Sequence, residues 1–250
     1  MSYAIIRNQK YKRCNFGLSY RTNERINKSY SNKEIDRQHT ELNYHLKKPE
    51  NSYEKEFERI RKENSLKVQI KEVSNITCEY IITSDKEFFD KIGVEETKRY
   101  FKTAYDFVCH YKDLGENNII SAVVHMDERT PHMHLVFIPV VHTIDKNGQE
   151  IDKIACSEFW KAKNSYTDLQ NNFYDYVRKN KFDLERGITS EREHLTIKEY
   201  KEVTNYNKAK ELLNSISLEM PDTPEIKDFK KFMINRDEKI ENLSKEIKVM

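Results

Sequence analysis

The stretch from Ile119 to Val141 constrains the fold of this chain more than any other. It contains two apolar runs rich in β-branched residues, Ile119 to Val124 and Leu135 to Val141, with the polar segment MDERTP between them. Runs of this kind form strands, and a short polar connection that ends in proline separates one strand from the next. The stretch therefore predicts two antiparallel strands joined by a tight connection.

Three of the eight histidines lie at the joined ends of these two strands. His125 closes the first strand, and His132 and His134 open the second. Because side chains alternate along a strand, His132 and His134 point to the same face, and the hairpin brings His125 alongside them. Three neutral imidazoles on one sheet face are a divalent-metal site with open coordination positions. Such a metal acts as a Lewis acid on a phosphoryl or carbonyl oxygen.

Asp127 and Glu128 lie in the connection between the histidines. A carboxylate at this place can hold the N–H of a ligand ring, or it can act as a general base. The alternative interpretation is a strand that carries half-buried histidines and no ion. Three histidines within ten residues at this spacing favour the metal site.

The composition bounds the class of protein. Charged residues make up 34% of the chain and hydrophobic residues 37%, which allows a core over part of the length. Fifteen Tyr and twelve Phe argue against wholesale disorder. Neither a signal peptide nor a long apolar run is present, so we expect a soluble, cytoplasmic protein without a membrane segment. The cysteines lack CxxC spacing and are predicted to be reduced thiols; they are Cys14, Cys78, Cys109 and Cys156.

The first 50 residues contain more than twice as many Lys and Arg as Asp and Glu. Aromatic residues alternate with these cations, which suits a phosphate backbone and unstacked bases, and asparagine can pair with base edges. A solvated basic face and a mobile polar loop are the alternatives. The predicted DNA contacts are Arg7, Lys10, Lys12, Arg13, Arg21, Asn23, Arg25 and Asn32.

Periodicity and turn residues predict helices and strands along the rest of the chain. The predicted elements are an opening strand from Tyr3 to Arg7, a loop from Lys10 to Leu18, a helix over residues 50–75, a strand from Thr77 to Thr83, a helix from Glu87 to Leu114 broken at Gly93, a turn over residues 145–148 followed by a strand from Ile151 to Ala155, a helix from Ser157 to about Asn180, and a turn over residues 184–187.

Pro221 and Pro224 predict a boundary near residue 219, which divides the chain into a domain of residues 1–218 and an extension of residues 219–250. The extension has a heptad-like apolar stripe of about three heptads, which is marginal for an isolated coiled coil. We therefore expect a C-terminal helix that pairs with a second helix, within a homodimer or with another protein.

The order of these motifs resembles the plasmid mobilisation and recombination relaxases, the Mob/Pre or MobV family of the His-hydrophobic-His superfamily, which nick one strand at a plasmid transfer origin. The resemblance covers about the first 200 residues. It rests on MSYAIIRNQKYK, NERINKSYSNKEID with LNY after it, EYIITSDKEFF, FDLERG and, most specifically, HMDERTPHMH. It implies an α+β fold with a central antiparallel sheet flanked by helices. It also implies that His125, His132 and His134 bind Mn²⁺ or Mg²⁺, with Asp127 and Glu128 as the acidic pair of the hairpin.

One position departs from the family pattern. The family's first motif is His-x-x-Arg, whose histidine is the proposed nucleophile, and the matching residues here are Thr22-Asn23-Glu24-Arg25. A threonine hydroxyl is a poor nucleophile without a matched base. Three hypotheses follow. Tyr20 or Tyr30 replaces the histidine, Tyr20 sharing a face with Thr22 if that segment is extended; or the protein binds DNA without a covalent link; or water activated by the metal cuts the strand.

The resemblance implies metal-dependent, site- and strand-specific nicking and rejoining of plasmid DNA in conjugative mobilisation. Arg25 would pair with the scissile phosphate or the nucleophile, and Glu128 or Asp127 would orient a ligand or move a proton. The implied partners are single-stranded or hairpin origin DNA and a coupling or accessory protein. The alternative is a non-catalytic accessory or autoregulatory protein that binds the origin, since Thr22 stands where the family has its nucleophile. A metal-dependent hydrolase of small substrates is disfavoured, because it would not need the basic N-terminal region.

Overall fold

A computed structural model of the chain describes residues 2–30, 32, 34–68 and 71–187. The predicted boundary near residue 219 and the predicted helical extension lie outside these residues. The strands are β1 Tyr3–Lys12, β2 Tyr44–Lys47, β3 Asn75–Thr83, β4 Ile119–His125, β5 His132–Phe137, β6 Val140–Ile144, β7 Glu150–Ile154 and β8 Glu185–Arg186. The α-helices are α1 Phe16–Asn23, α2 Tyr53–Glu63, α3 Lys86–His110, α4 Cys156–Phe159 and α5 Ser165–Lys179.

Six strands form the central sheet, in the order β2-β4-β5-β3-β1-β8. Neighbouring strands are antiparallel except β1 and β8, which are parallel. Strands β6 and β7 form a separate hairpin. The predicted α+β fold with a central antiparallel sheet and flanking helices is confirmed. In the β4–β5 hairpin His125 stands opposite His132, and Val123 stands opposite His134.

The two faces of the sheet are covered by different helices. Helices α3, α4 and α5 pack on one face around Cys78, Tyr80 and Ile82 of β3. Helices α1 and α2 cover the other face through a second, smaller core that includes Phe16 and Phe57. Because side chains alternate along each strand, the three histidines lie on the α1/α2 face, together with the alternate residues of β3. The metal-site candidates are thereby separated from the larger core by the sheet itself.

The predicted end of the opening strand, the predicted loop and the predicted end of the first long helix were wrong. The opening strand continues to Lys12, and residues that were predicted as a loop form the end of β1 and the start of α1. The second half of β1 has the composition of a loop because none of its residues from Arg7 to Lys12 is buried. Helix α2 ends at Glu63, well before residue 75, and Ser65 follows in a left-handed conformation with φ 51°.

Later elements follow the prediction more closely. Helix α3 begins after Asp85, whose carboxylate caps it by accepting from the backbone N–H of Phe88, and it is broken at Gly93 with φ 77°. The predicted helix from Ser157 is divided into α4 and α5. The predicted turn over residues 184–187 contains β8, which pairs in parallel with the start of β1. Both residues of β8 are charged, so the sequence has no apolar strand pattern there. Among the described residues, none of the helices has the length and apolarity needed to cross a bilayer.

Candidate metal centre

The three histidines converge at the end of the β4–β5 hairpin. Their ring centroids are 5.2 Å apart for His125 and His132, 4.8 Å for His125 and His134, and 5.1 Å for His132 and His134. One ring nitrogen from each lies within 4.8 Å of the others. This geometry follows from the antiparallel register, which sets His125 directly across from His132 and places His134 one site-facing position further along β5.

Each ring has one nitrogen held by an oxygen acceptor. His125 Nε2 lies 2.8 Å from the carbonyl oxygen of Asn23, His132 Nδ1 lies 2.9 Å from that of Thr130, and His134 Nδ1 lies 2.9 Å from a carboxylate oxygen of Glu79. A carbonyl or carboxylate oxygen accepts only from an N–H, so each contact fixes the tautomer of its ring. The lone pairs then fall on His125 Nδ1, His132 Nε2 and His134 Nε2.

The donor set fits a divalent cation. Burial, and the nearby charges of His134 and Arg25, lower the pKa of His125 to about 2, and burial also lowers the pKa of His132. Both rings are therefore neutral at ordinary pH, which is the form that binds a metal. Three imidazole nitrogens leave further coordination positions for oxygen ligands. In histidines that are merely half-buried on a strand, an oxygen acceptor for every ring is not expected. The three acceptors therefore favour the metal site over that alternative.

An arginine holds the two carboxylates beside the histidines. Arg25 Nε and Nη2 donate to the two oxygens of Asp127 at 2.9 and 2.7 Å, and Nη2 also donates to Glu128 at 2.6 Å. The Arg25 side chain is 7% exposed and that of Asp127 is fully buried. Burial disfavours the charged form of Asp127, but the hydrogen bonds and charge of Arg25 outweigh it and lower the pKa of the carboxyl to about 2.

The polar segment after α1 wraps around the hairpin connection. Asn32 donates to Glu128 at 2.7 Å, Thr40 donates to Asp127 at 3.0 Å, and the backbone N–H of Asp36 donates to the carbonyl oxygen of Asp127 at 2.7 Å. Glu128 also lies 3.7 Å from His132 Nε2. The predicted acidic pair is therefore in the same site as the histidines. Arg25 holds both carboxylates, and the polar segment after α1 donates further hydrogen bonds to them.

Two buried carboxylates were missed by sequence reasoning. Glu79 accepts from Tyr11 at 2.5 Å and Asn23 at 2.6 Å in addition to His134. Glu24 accepts from Tyr53 and Ser121 and pairs with His45. The signal for Glu79 was available, because it is the one charged residue in the apolar strand TCEYIIT.

The predicted DNA contacts do not form one continuous strip. Arg7 is exposed and lies on the histidine face, in the cross-strand row that passes through Ile81 to His134. Lys10, at the opposite parity on β1, lies 5.7 Å from the ring of Tyr166 on the other face. The remaining predicted contacts are Lys12 and Arg21, which are exposed, Arg13, which pairs with Glu54 and Glu58, and the site residues Asn23, Arg25 and Asn32.

The three candidate nucleophiles have different surroundings. Tyr20 and Thr22 were expected to share a face if their segment were extended. The segment is helix α1, in which residues two apart do not share a face, so that condition is not met. The Tyr20 ring packs edge-on against Tyr53 at 5.3 Å. The Tyr30 ring lies 5.6 Å from the guanidinium carbon of Arg25. Thr22 is half-buried and directly precedes Asn23, whose carbonyl holds His125.

Replacing Arg25 with alanine is expected to destabilise the domain by about 3–5 kcal/mol, because it leaves the buried carboxylate of Asp127 without its partner. Urea unfolding of the wild type and the variant measures the difference. The matched control is Arg13→Ala. Arg13 is exposed and pairs with exposed Glu54 and half-buried Glu58, so its loss should cost less than about 1 kcal/mol. Equal costs for the two variants would contradict the buried role of Arg25.

The fold and the site define the class: an antiparallel sheet that presents three metal-ready histidines and an Arg-bound acidic pair. The family profile described as plasmid recombination enzyme, Mob_Pre, matches residues 1–202. The chain is 37% identical over 205 residues to a plasmid recombination enzyme of Streptococcus agalactiae and 35% identical over 214 residues to plasmid recombination enzyme type 1 of Staphylococcus aureus. These matches cover 80% and 83% of the chain, and 39% and 51% of the relatives.

Solved structures agree with this assignment. The Mn-bound MobM relaxase domain, in complex with oriT DNA of plasmid pMV158, superposes with a TM-score of 0.69 at 33% identity, covering 80% of this chain and 98% of that domain. A second Mn-bound crystal structure of that domain, bound to a 22-nucleotide oriT DNA, gives a TM-score of 0.67 at 34% identity. The chain belongs to the plasmid recombination enzyme (Mob/Pre) family, and it spans about half or less of the length of the curated relatives above.

Proposed function

We propose that this domain nicks and rejoins one strand of plasmid DNA at a transfer origin by metal-dependent phosphoryl transfer. The observation that supports it most is the convergence of three ring nitrogens, each left with a free lone pair because its partner nitrogen is held by an oxygen. The MobM relaxase domain, to which the chain is similar, binds Mn and oriT DNA. The proposed place of action is the cytoplasm, where plasmid DNA is found.

The proposed cofactor is Mn²⁺ or Mg²⁺, held by His125 Nδ1, His132 Nε2 and His134 Nε2. When bound, it supplies Lewis-acid stabilisation of the negative charge that develops on the oxygens of the scissile phosphate. The chain's own groups hold the site in shape. Asn23, Thr130 and Glu79 fix the ligand tautomers, and burial keeps the rings of His125 and His132 neutral by lowering their pKa.

Arg25 and the acidic pair are proposed to orient the phosphate and move a proton. Arg25 already donates to both carboxylates, so its guanidinium is fixed before DNA arrives. Glu128 is the more exposed carboxylate, at 15% against 0% for Asp127, and lies nearer solvent to take a proton from a nucleophile. Arg7, on the same face as the histidines, is placed to contact a neighbouring phosphate.

Tyr30 is the proposed nucleophile in place of the family's histidine. Its ring lies over Arg25, which bonds both acidic residues, so a chain of contacts joins the tyrosine to the metal site. Tyr20, the alternative, packs against Tyr53 beside the second core. In the step proposed, the phenol loses its proton to Glu128 and its oxygen bonds to phosphorus. The P–O3′ bond breaks and the leaving 3′-oxygen gains a proton, and reversal rejoins the strand.

The test is incubation of supercoiled plasmid DNA that carries a family transfer origin with the protein and Mn²⁺. We expect relaxed circles with protein attached to the 5′ end of the nick, together with loss of the reaction in EDTA. Relaxed circles without attached protein would favour hydrolysis by water. DNA binding without any relaxation would contradict the proposed reaction.

Changing Tyr30 to Phe is expected to abolish the covalent adduct, a loss of about 100-fold or more, because the attacking oxygen is removed while the ring remains. Tyr20→Phe, tested in parallel, loses the adduct instead if that tyrosine is the nucleophile. The control is Tyr176→Phe, whose ring packs against Phe107 on the other face of the sheet. Denaturing gels of protein trapped on an end-labelled oligonucleotide give the adduct yield. Full adduct with Tyr30→Phe would exclude this residue.

The second candidate function is binding of origin DNA without cleavage, as an accessory or autoregulatory protein. Thr22 favours it, because threonine occupies the position of the family's proposed nucleophile. The same plasmid assay separates the two candidates. We also propose that residues 219–250 form a helix that pairs with a second copy or an accessory protein; sedimentation of the chain with and without that segment tests this.

A further inference from the structure

Asn23 contacts one of the three site histidines directly and also contacts the carboxylate that is bonded to another. The carbonyl oxygen of Asn23 accepts from His125 Nε2 at 2.8 Å. Its side-chain amide donates to Glu79 Oε1 at 2.6 Å, and the same oxygen accepts from His134 Nδ1 at 2.9 Å. Asn23 thus reaches one ligand directly, and it reaches a second ligand through a carboxylate.

The side chain of Asn23 is buried, and its amide contacts few other groups among the described residues. The residue is 3% exposed, and besides Glu79 its amide contacts only the Ser19 hydroxyl, at 3.4 Å. An amide this deep is not available to read a base edge. A buried donor is instead expected to be satisfied by a specific acceptor, and here that acceptor is the group that orients a ligand ring.

Three donors hold the carboxylate of Glu79. It is 2% exposed and accepts from three donors, Tyr11, Asn23 and His134. Tyr11 bonds Oε2, whereas Asn23 and His134 both bond Oε1. The two contacts at Oε1 place that oxygen between the end of α1 and the ring of His134, so the amide of Asn23 decides where the acceptor for His134 lies.

The backbone around Asn23 is fixed from its other side. Glu24, the next residue, accepts from Tyr53 of α2 and Ser121 of β4 at 2.7 and 2.8 Å, and pairs with His45 of β2 at 2.7 Å. These bonds tie the end of α1 to α2, to the edge strand β2 and to β4, the strand that ends at His125. The carbonyl of Asn23 is therefore held in place independently of its side chain.

We propose that Asn23 is a positioning residue that sets the orientation of His125 and His134 together and thereby the affinity of the site for a divalent cation. The inference rests on the proposed metal site but not on DNA cleavage. Its side chain acts through Glu79, and its carbonyl acts directly. A substitution removes only the first of these two actions.

The test measures Mn²⁺ binding to the DNA-free protein by titration calorimetry. We expect Asn23→Ala to weaken Mn²⁺ binding by about 10- to 100-fold, the usual cost of losing a group that orients a ligand. Asn23→Leu keeps the branched shape of the side chain without the amide donor or an added charge, so it should weaken binding about as much as Asn23→Ala does. If the residue served only to fill space, Asn23→Leu would bind Mn²⁺ as well as the wild type does.

Glu79→Gln completes a double-mutant cycle. Because the amide of Asn23 acts through Glu79, adding Asn23→Ala to Glu79→Gln should weaken binding by less than about two-fold more. The control is Asn118→Ala, whose amide donates to the carbonyl of Leu114 at the far end of β4. It should lower the melting temperature without changing Mn²⁺ affinity.

Asn23→Ala with the melting temperature lowered and Mn²⁺ affinity within two-fold of the wild type would overturn the inference. Full additivity with Glu79→Gln would overturn the route through the carboxylate. A wild-type protein that binds no Mn²⁺ would remove the metal site, and the inference with it. A wild type that binds Mn²⁺ but does not nick would refute the proposed reaction alone, so the two failures are distinguishable.

Discussion

Replacing His132 with alanine is expected to weaken Mn²⁺ binding by more than about 100-fold, since loss of a group that only orients a ligand already costs about 10- to 100-fold. His132 Nε2 is one of three lone pairs directed at the site, and two imidazoles alone leave a divalent cation without its third protein ligand. Nicking of supercoiled DNA should be lost as well. Titration calorimetry and the plasmid assay measure the two effects separately.

The matched control for this prediction is His142→Ala. His142 lies on β6, is exposed, and pairs with Asp152 across the β6–β7 hairpin at 2.6 Å. Its loss removes an imidazole without touching the site, so Mn²⁺ affinity and nicking should remain at wild-type values. Nicking by the His132 variant at the wild-type rate would remove the metal from the mechanism. Wild-type Mn²⁺ affinity in that variant would place the ion elsewhere.

The hairpin was predictable because both of its strands and their connection lie within one short stretch of sequence, and both strands are apolar runs of the same kind. Apolar runs on both sides of a six-residue polar connection fix the register, and the register alone brings His125 and His132 together. Asp127 and Glu128 are predictable for the same reason, because they lie within the connection. Among the predicted residues that the structure places around the histidines, Asp127 and Glu128 are close to them in sequence, whereas Asn23, Arg25 and Asn32 come from a distant segment.

The groups that orient the histidine rings, Glu79 and Asn23, were not predictable in that role, because they come from distant segments. Glu79 is brought to His134 by the pairing of β3 with β5, and Asn23 is brought to both by the packing of α1. A helix of eight residues with few apolar positions has a weak periodic signal, so α1 was read as part of a polar loop. Asn23 and Arg25 were predicted as DNA contacts on composition, whereas their burial and partners depend on the tertiary fold.

Changing Thr22 to His is expected to raise the yield of covalent DNA adduct at least about 100-fold if the chain is a relaxase that has lost its usual nucleophile, because the imidazole supplies a nitrogen that attacks phosphorus without needing a strong base. Thr22 immediately precedes Asn23, and consecutive Cα atoms are about 3.8 Å apart. The new ring is therefore held next to the residue whose carbonyl contacts His125. The adduct would be a phosphoramidate, with the 3′-hydroxyl released as the P–O bond breaks.

Two variants make the Thr22→His result interpretable. Thr22→Ala removes the hydroxyl without adding an imidazole, so it should leave the adduct yield at its wild-type value if threonine has no role. Thr22→His combined with His132→Ala should form no adduct, because the phosphate charge is then unopposed by the metal.

Mapping the attached peptide by mass spectrometry identifies the linked residue. An adduct that forms equally in the wild type and is attached through Tyr30 would instead mean that the histidine was replaced rather than lost. An absence of gain, with metal and DNA binding intact, would favour an alternative nucleophile, because the residue at position 22 would then not limit the reaction.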